Sequence, residues 1–524
     1  MRISIKKRNV MPRQVADEKS SRVVVIGAGI GGLTAAALLA HRGYQVLVLD
    51  QALVPGGCAS TFKRQGFTFD VGATQVAGLE PGGIHHRIFS ELEIDLPDAT
   101  PCDPACAVYL PGETEPISVW RDPQKWQAER ERQFPGSAPF WQLLADLFKY
   151  SWAFQMRDPV LPPRSVWDLW QLTKAVRPDT LMTLPHTFST VGDALRGYGL
   201  GNNQRLRTFL DLQLKLYSQV TAEETALLYA ATALGVSQEP HGLFHLQGSM
   251  QVLSDRLVSA LERDRGKLLM RHTVEKIHLA AGKPTGVTIR NQKTDESWIE
   301  PTDRVVANVT VQNLMQLLDE DAPKNYQRRV DKLPLSSGAF VVYLGVDQSA
   351  IPANCPPHLQ FLYDYDGAIG ENNSLFVSVS HPGDGRAPKG KATIIASSFT
   401  DSAMWWQCDD YEALKQKYTE EAIARLGQFF TLNNETLIYQ EAATPRTFQH
   451  FTARDQGAVG GIGQRVPTFG PFGFANRTPI QDLWLVGDST HPGEGTAGVS
   501  YSALTVVRQI EQFEVSRSAF LKRF

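Results

Sequence analysis

The stretch "VVVIGAGIGGLTAAALLAHRGYQVLVLD", Val23 to Asp50, decides the fold class. Val23 to Ile26 is a short β-branched run suited to a strand buried on both faces. Gly27, Gly29 and Gly32 then fall at the spacing G-x-G-x-x-G, with Ile30 and Gly31 between them. Gly27 allows a tight turn, Gly29 lets backbone approach a pyrophosphate, and Gly32 lets the next helix pack closely on the strand. The start of that helix offers free N–H groups and a positive dipole end to phosphates. Tyr44 to Leu49 reads as a second strand, and Asp50 at its end can accept hydrogen bonds from an adenosine ribose. Strand, glycine turn, helix, strand and acid in one unit predict a dinucleotide site.

The next segment separates FAD from NAD. Gly56-Gly57 lies just past the acid, where a glycine pair lets the chain run close to phosphates and a ribityl chain. Gly66, Phe69-Asp70 and Gly72 follow where an NAD enzyme would begin its next strand–helix unit. Near the C-terminus stands "LWLVGDSTHPGEGTAGVSYSALTVVRQI". Leu483 to Val486 reads as a strand ending at Gly487-Asp488, and the turn Gly493 to Gly498 leads into a helical pattern from Ser500 to Ile510. A carboxylate at Asp488 suits a ribityl hydroxyl. A helix start after the turn suits the negative charge that a flavin gains on reduction. The two ends of the chain together point to FAD.

Four stretches resemble the FAD-dependent carotenoid desaturase and isomerase family, a phytoene desaturase-like branch of the amine-oxidase-like flavoproteins. They are "VIGAGIGGLTAAALLA", "VPGGCASTFKRQGFTFDVGAT", "ATPRTFQHFTARDQGAVGG" and "LVGDSTHPGEGTAGVSYSA". The resemblance runs from about Val23 to Ile510 and is strongest to cyanobacterial-type C-3',4' desaturases. It implies an α/β fold: a Rossmann-like FAD-binding domain and a second α+β substrate domain built on an antiparallel sheet. It also implies that Gln51, Cys58, Ala59, Ala73, Thr74 and Val499 join Gly27 to Gly32, Asp50, Gly56, Gly57, Gly72, Gly487, Asp488 and Gly498 around the cofactor. Val274 is expected to meet the adenine through its backbone. Cys58 is a departure: the related isomerases tend to carry Ser there, and many bacterial phytoene desaturases Arg.

A chain of 524 residues predicts two or more domains. A hydrophobic content of 42% with 20% charged residues fits a soluble or peripheral protein, and a net charge of -3 disfavours nucleic acid as a partner. Cys102 and Cys106 form C-x-x-x-C without a second ligand pair, so no metal site is expected and the five cysteines read as free thiols. None lies by the C-terminal turn, which argues against a covalent flavin. "MRISIKKRNVMPRQVADEKSS" lacks the apolar core of a secretory signal and reads as a flexible tail over residues 1–20. No apolar run reaches transmembrane length.

The split motifs assign residues 21–100, 240–312 and 472–515 to the FAD-binding domain, and 101–239 and 313–471 to a substrate- and membrane-facing domain. In the first, a helix is predicted from about Met250 to Arg263, with strands at 268–278, 285–290 and 303–310. Between 339 and 400, four alternating runs predict an antiparallel meander. Leu414, Tyr418, Ala422, Leu426 and Phe429 recur at helical spacing and should pack a helix on it. Six of ten tryptophans (Trp120, Trp126, Trp141, Trp152, Trp167 and Trp170) fall in one segment beside Lys149 and Arg157. That mixture suits either a membrane interface or a buried helical cap.

The expected reaction is hydride transfer from an allylic carbon to FAD, forming a C=C bond in a long polyene, with quinone or oxygen as electron acceptor. The resemblance places the enzyme peripherally on the cytoplasmic face of a membrane, thylakoid or plasma. Two alternatives stand beside this desaturase reading: a cis–trans isomerase using reduced FAD, and a flavin-free prenyl-binding protein like the GDP-dissociation inhibitors. No catalytic residue is assigned. His85-His86 reads as a loop pair, and His491 and Glu494 on the C-terminal turn are as consistent with structure as with chemistry. The lysine and aromatic cage of an amine oxidase are not evident.

Overall fold

The computed structural model describes residues 21–521, with side chains to residue 512. The tail expected over residues 1–20 lies outside them.

Two sheets organise the chain. The first is parallel and five-stranded, in the order Lys267–Met270, Gln45–Asp50, Arg22–Ile26, Arg304–Ala307, Leu483–Leu485. Val25 sits between Val48 and Val306 in register, and all three are fully buried. This explains the unbroken β-branched run: the strand meets protein on both faces. The helix Ile30–His41 covers one face, with eleven of its twelve residues buried. Its alanine-rich sequence permits close approach by the helices Gln251–Arg263 and Thr496–Leu521.

From Arg22–Ile26 the chain steps to Gln45–Asp50 on one side and later to Arg304–Ala307 on the other. The carboxyl ends of these strands therefore open a crevice where the winding direction changes, the place where such sheets bind ligands.

The second sheet has seven strands, in the order Leu437–Ala443, Gly338–Asp347, Lys391–Thr400, Ser374–Val379, His358–Leu362, Cys106–Tyr109, Ile117–Val119. Two details differ from the sequence reading. The four-strand meander is rearranged, because Gly338–Asp347 pairs with Lys391–Thr400 rather than with His358–Leu362. The sheet is also mixed, since Cys106–Tyr109 joins parallel to His358–Leu362 from a distant part of the chain. The helix Tyr411–Leu426 packs on this sheet through Tyr418, Ala422 and Leu426, and Phe429 follows just past its end.

The strand expected at 268–278 is two strands in different sheets, broken at Arg271, whose φ is +60°. Lys267–Met270 closes the edge of the parallel sheet, while His272–Ala280 begins an antiparallel sheet with Lys283–Asn291 and Ser297–Pro301. The segment 303–310 supplies an inner strand of the parallel sheet, Arg304–Ala307. The last helix starts at Thr496, four residues before the expected Ser500, and runs to Leu521.

The tryptophan-rich segment is divided. Trp126 and Trp141 are buried in a core of their own, whereas Trp170 is 55% exposed on the helix Val166–Ala175. No helix among the described residues is long and apolar enough to cross a membrane.

Candidate active site

One cavity of about 1120 Å³ runs from the carboxyl ends of the parallel sheet to the inner face of the seven-stranded sheet. Its first part is built from glycine. Gly27 turns with φ +96°, and its N–H donates to the Leu49 carbonyl at 2.7 Å, tying the turn to the neighbouring strand. The helix Ile30–His41 begins at Gly29 without a side-chain cap, so its first N–H groups face the cavity. Gly32 is the one predicted glycine of this turn that does not line the cavity. It packs the helix onto the turn, where an added Cβ would strike the Gly27 carbonyl.

The floor beneath the turn is Asn308, just past the strand Arg304–Ala307. A Cβ on Gly29 would lie 2.8 Å from Asn308 Nδ2, and one on Gly31 would lie 2.9 Å from Asn308 Oδ1. A Cβ on Gly487 would meet the same Oδ1 at 3.0 Å. One side chain thus contacts the N-terminal and C-terminal glycine motifs together. The last helix also starts at this cavity, which Thr496, Gly498 and Val499 line. The two helices touch through Thr34 Oγ1 and Ser500 Oγ, 3.4 Å apart. Two helix starts converging on one glycine-walled crevice form an electropositive cradle for a pyrophosphate.

Asp50 stands at the rim. Its Oδ2 accepts from the Ala28 N–H at 2.6 Å and its Oδ1 from the Ala52 N–H at 2.8 Å. Burial pushes its pKa up, while those two bonds pull it down. The bonds fix the carboxylate plane and leave lone pairs for ribose hydroxyls. Gln51 lines the same rim, and Val274 lies on the strand His272–Ala280 beside it. The ladder shifts between Val274 and Lys276, putting Glu275 in a bulge at the cavity wall. Such a bulge leaves a backbone group free to pair elsewhere. Gly56, Gly57, Cys58, Ala59, Gly72, Ala73 and Thr74 form the next stretch of wall. Every predicted cofactor residue except Gly32 therefore lines this cavity.

Further in, Asp488 accepts from Arg454 Nη1 at 2.9 Å. Arg454 also donates through Nε to the Ala458 carbonyl at 2.7 Å and through Nη2 to the Gly460 carbonyl, which holds the loop 454–460 against the cavity. Asp488 raises the guanidinium pKa against the opposing effect of burial. The Cys58 thiol is pushed up by burial, with Arg454 pulling the other way, so it stays a neutral thiol on the wall.

Glu494 and His491 lie on the turn before the last helix, both in the cavity wall. Glu494 Oε2 accepts from Gln219 Nε2 at 2.9 Å and from the Gly461 N–H at 3.2 Å. Burial pushes its pKa up to about 8, with Asp488 adding to the rise. His491 Nε2 donates to Gln155 Oε1 at 3.1 Å, and burial lowers its pKa to about 4, so the ring is neutral. His85 is a correction: it sits on the helix Ile84–Glu91, 1% exposed, not in a loop. Asn308, Arg454, Gln219 and Lys215 were missed by the sequence reading. Arg454 lay inside a quoted motif without an assigned role, and the others carry no spacing signal.

The rest of the wall is mainly apolar, with Leu212, Leu228, Val341, Phe376 and Phe469 among its residues and Lys215, Gln360 and Ser374 as polar points. This part reaches the surface at the helical segment after Met156. Met156, Val176 and Leu184 line the cavity and are also 43%, 38% and 58% exposed.

The chemistry of the donor set fits FAD: an N–H-rich cradle between two helix starts, an acid at the ribose rim, and a polar stretch ahead of an apolar chamber. Comparison with known proteins agrees. Residues 30–510 match the model of the family described as flavin containing amine oxidoreductase. "Prolycopene isomerase 1, chloroplastic" from an Oncidium hybrid cultivar is 28% identical over 514 residues, covering 95% of this chain and 85% of that one. "Phytoene desaturase (neurosporene-forming)" from Cereibacter sphaeroides is 26% identical over 520 residues, covering 94% and 95%. Among solved structures, cyclohexylamine oxidase from Brevibacterium oxydans IH-35A superposes with a TM-score of 0.60 at 18% identity, over 94% of this chain and 100% of that one. That likeness speaks to the fold alone. With its glycine cradle, its converging helix starts and a family match over most of its length, the chain belongs to the flavin-containing amine oxidoreductases and is a FAD-dependent oxidoreductase.

Proposed function

We propose that the enzyme is a carotenoid desaturase that introduces a C=C bond into a long polyene, at C-3',4' of a monocyclic or acyclic carotenoid. The observation that carries this reading is the continuity of the cavity. A polar nucleotide cradle passes directly into an apolar chamber, and the chamber opens between exposed apolar side chains. An apolar chain with no charged end suits such a chamber. The similarity to a phytoene desaturase over nearly the whole of both chains supports the same substrate class.

Bound FAD supplies the two-electron oxidant that receives a hydride. The protein's part is placement. The seven-stranded sheet and the helices over it would hold an extended chain with one allylic carbon at the polar end of the cavity, where the residues around Asp488 would hold the cofactor. Apolar walls exclude water from the reacting carbon. Quinone or oxygen is the proposed final acceptor.

The opening favours a membrane-seated enzyme. Leu184 and Phe188 are 58% and 72% exposed, and Val166, Leu169 and Trp170 on the adjoining helix are more than half exposed. Lys174 lies over the Trp170 ring at 5.4 Å. Apolar anchors with an interleaved base suit a monotopic contact, through which a polyene would pass without crossing water. We place the enzyme peripherally, on the cytoplasmic face of a thylakoid or plasma membrane.

A second reading, redox-neutral cis–trans isomerisation with reduced FAD, is favoured by the prolycopene isomerases at 26–28% identity. The flavin-free lipid-carrier alternative is set aside by the family assignment. Expression in bacteria accumulating lycopene or hydroxylated monocyclic carotenes separates the two readings. A product lighter by two hydrogens with a red-shifted spectrum supports desaturation. An unchanged mass with altered retention supports the isomerase and refutes the desaturase.

A further inference from the structure

We propose that Glu494 is the residue that takes the proton released when the double bond forms. The inference rests on the desaturase reading. Removing two hydrogens from adjacent carbons sends one away as hydride and the other as a proton, and the proton needs an acceptor inside a water-poor chamber.

The groups on the cavity wall can be taken in turn. Asp488 is occupied by Arg454. Lys215 is committed as a donor, to the Gln219 carbonyl at 3.0 Å and to Ser337 Oγ at 3.1 Å. The Tyr229 hydroxyl donates to the Tyr217 carbonyl, and burial holds its pKa far above the ordinary value. The neutral His491 ring keeps Nδ1 without a partner, but burial makes it a weak base.

Glu494 differs from all of these. Its Oε2 is held by Gln219 and Gly461, while its Oε1 is buried and has no partner. One oxygen is anchored and the other is open, which is the geometry of a positioned acceptor. Gln219 caps the helix Gln204–Ser218 with φ +66°, a left-handed backbone that a non-glycine residue rarely takes, and its amide donates to Glu494.

Location agrees. Glu494 shares the cavity wall with the Asp488–Arg454 pair of the cofactor cradle and with Tyr229, and interacts electrostatically with all three. The step balances. Bound FAD would be the two-electron oxidant that takes the C–H electron pair of one carbon as hydride. The pair at the neighbouring carbon becomes the π bond, and its proton passes to Glu494 Oε1. The polyene cation formed by hydride loss is strongly acidic, so a carboxylate suffices to receive the proton. The groups facing Glu494 are Gln219, Arg454, Asp488, Lys215 and Tyr229, with neutral His491 on the same turn. Its ionisation near pH 8 means that the accepting carboxylate gains population as pH rises toward that value.

The test compares wild type, Glu494→Gln and Glu494→Asp as holoenzymes. In wild type, an infrared carboxylic-acid band should titrate near pH 8 and be absent from Glu494→Gln, a readout independent of turnover. The desaturation rate should rise with pH through the same range. Glu494→Gln should lower kcat by about 10²-fold or more and lose that limb while keeping its flavin. Glu494→Asp keeps a carboxyl and should retain the limb with a rate above Glu494→Gln. Equal rates for wild type and Glu494→Gln, or a limb that persists in Glu494→Gln, overturn the inference. If Glu494→Gln loses flavin, the Asp variant decides: a rate no better than Gln overturns it. Failure of the desaturase reading shows separately, as an unchanged pigment mass with wild type.

Discussion

Replacing Gly27 with alanine isolates the part of the cradle that depends on close approach. Two costs arise there. The residue has φ +96°, a conformation that disfavours a Cβ by about 1–2 kcal/mol. The new Cβ would also lie 2.5 Å from the Asn308 carbonyl oxygen, where real Cβ contacts stay beyond 3.0 Å, so a shift of at least 0.5 Å (3.0 minus 2.5) is forced. That oxygen is backbone following an inner strand and cannot rotate away. Overpacking of this kind costs about 1–3 kcal/mol.

Gly43→Ala provides the control within the same structural unit. Gly43 has φ +88° but nothing within 4 Å of the added atom, so it carries the backbone cost alone. The difference between the two variants therefore measures the contact with Asn308. With an unfolding entropy of about 2.1 cal/mol/K per residue, a chain of 524 residues shifts by about 1 °C per kcal/mol, so Gly27→Ala should melt roughly 1–3 °C below Gly43→Ala. Flavin-to-protein ratio from absorbance after gel filtration gives the functional side: Gly43→Ala keeps full flavin, and Gly27→Ala loses most of it. Equal melting temperatures with equal flavin content would refute the reasoning.

Arg454→Met should weaken flavin binding and mobilise the loop 454–460, since it leaves the partly buried Asp488 without its cation; equilibrium dialysis of flavin checks this. Asp168 is fully buried and accepts from Arg477 and Gln509, tying the exposed apolar helix to the end of the chain, so Asp168→Ala should cost about 3–5 kcal/mol in thermal unfolding. Glu494 has a folded pKa raised above the ordinary 4.5, so its contribution to stability is fully present below pH 4.5 and is lost as pH rises through about 8. Glu494→Gln should flatten that part of the melting-temperature profile. Leu184→Glu with Phe188→Glu should abolish co-flotation with anionic vesicles without loss of bound flavin; unchanged flotation would remove these residues from the membrane contact.

The parts of this site that were legible in the sequence are those in which one residue type serves one local need. Gly27, Gly29 and Gly32 signal a turn because a Cβ fails at each against neighbouring backbone or Asn308, and Asp50 signals the rim because it follows its strand directly. Asn308 was invisible for the opposite reason. It touches Gly27, Gly29, Gly31 and Gly487 only after distant strands pair, and nothing in "VVANVT" marks it. The break at Arg271 was hidden because a non-glycine residue with φ +60° carries no spacing signal. The parallel joining of Cys106–Tyr109 to His358–Leu362 was hidden because pairing between remote strands leaves no local periodicity.

The order of the parallel sheet has a consequence for biosynthesis. The strand Leu483–Leu485, which completes one edge, and the helix from Thr496, which closes the cradle, are made long after the first glycine motif. The chain must leave the ribosome past Thr496 before the two glycine motifs can meet across Asn308. Until then the nascent chain carries an unsealed sheet edge and a bare apolar chamber, surfaces that attract holdase chaperones. The cradle can therefore close on its cofactor only after Asn308 and the segment from Leu483 to Val499 have both been made.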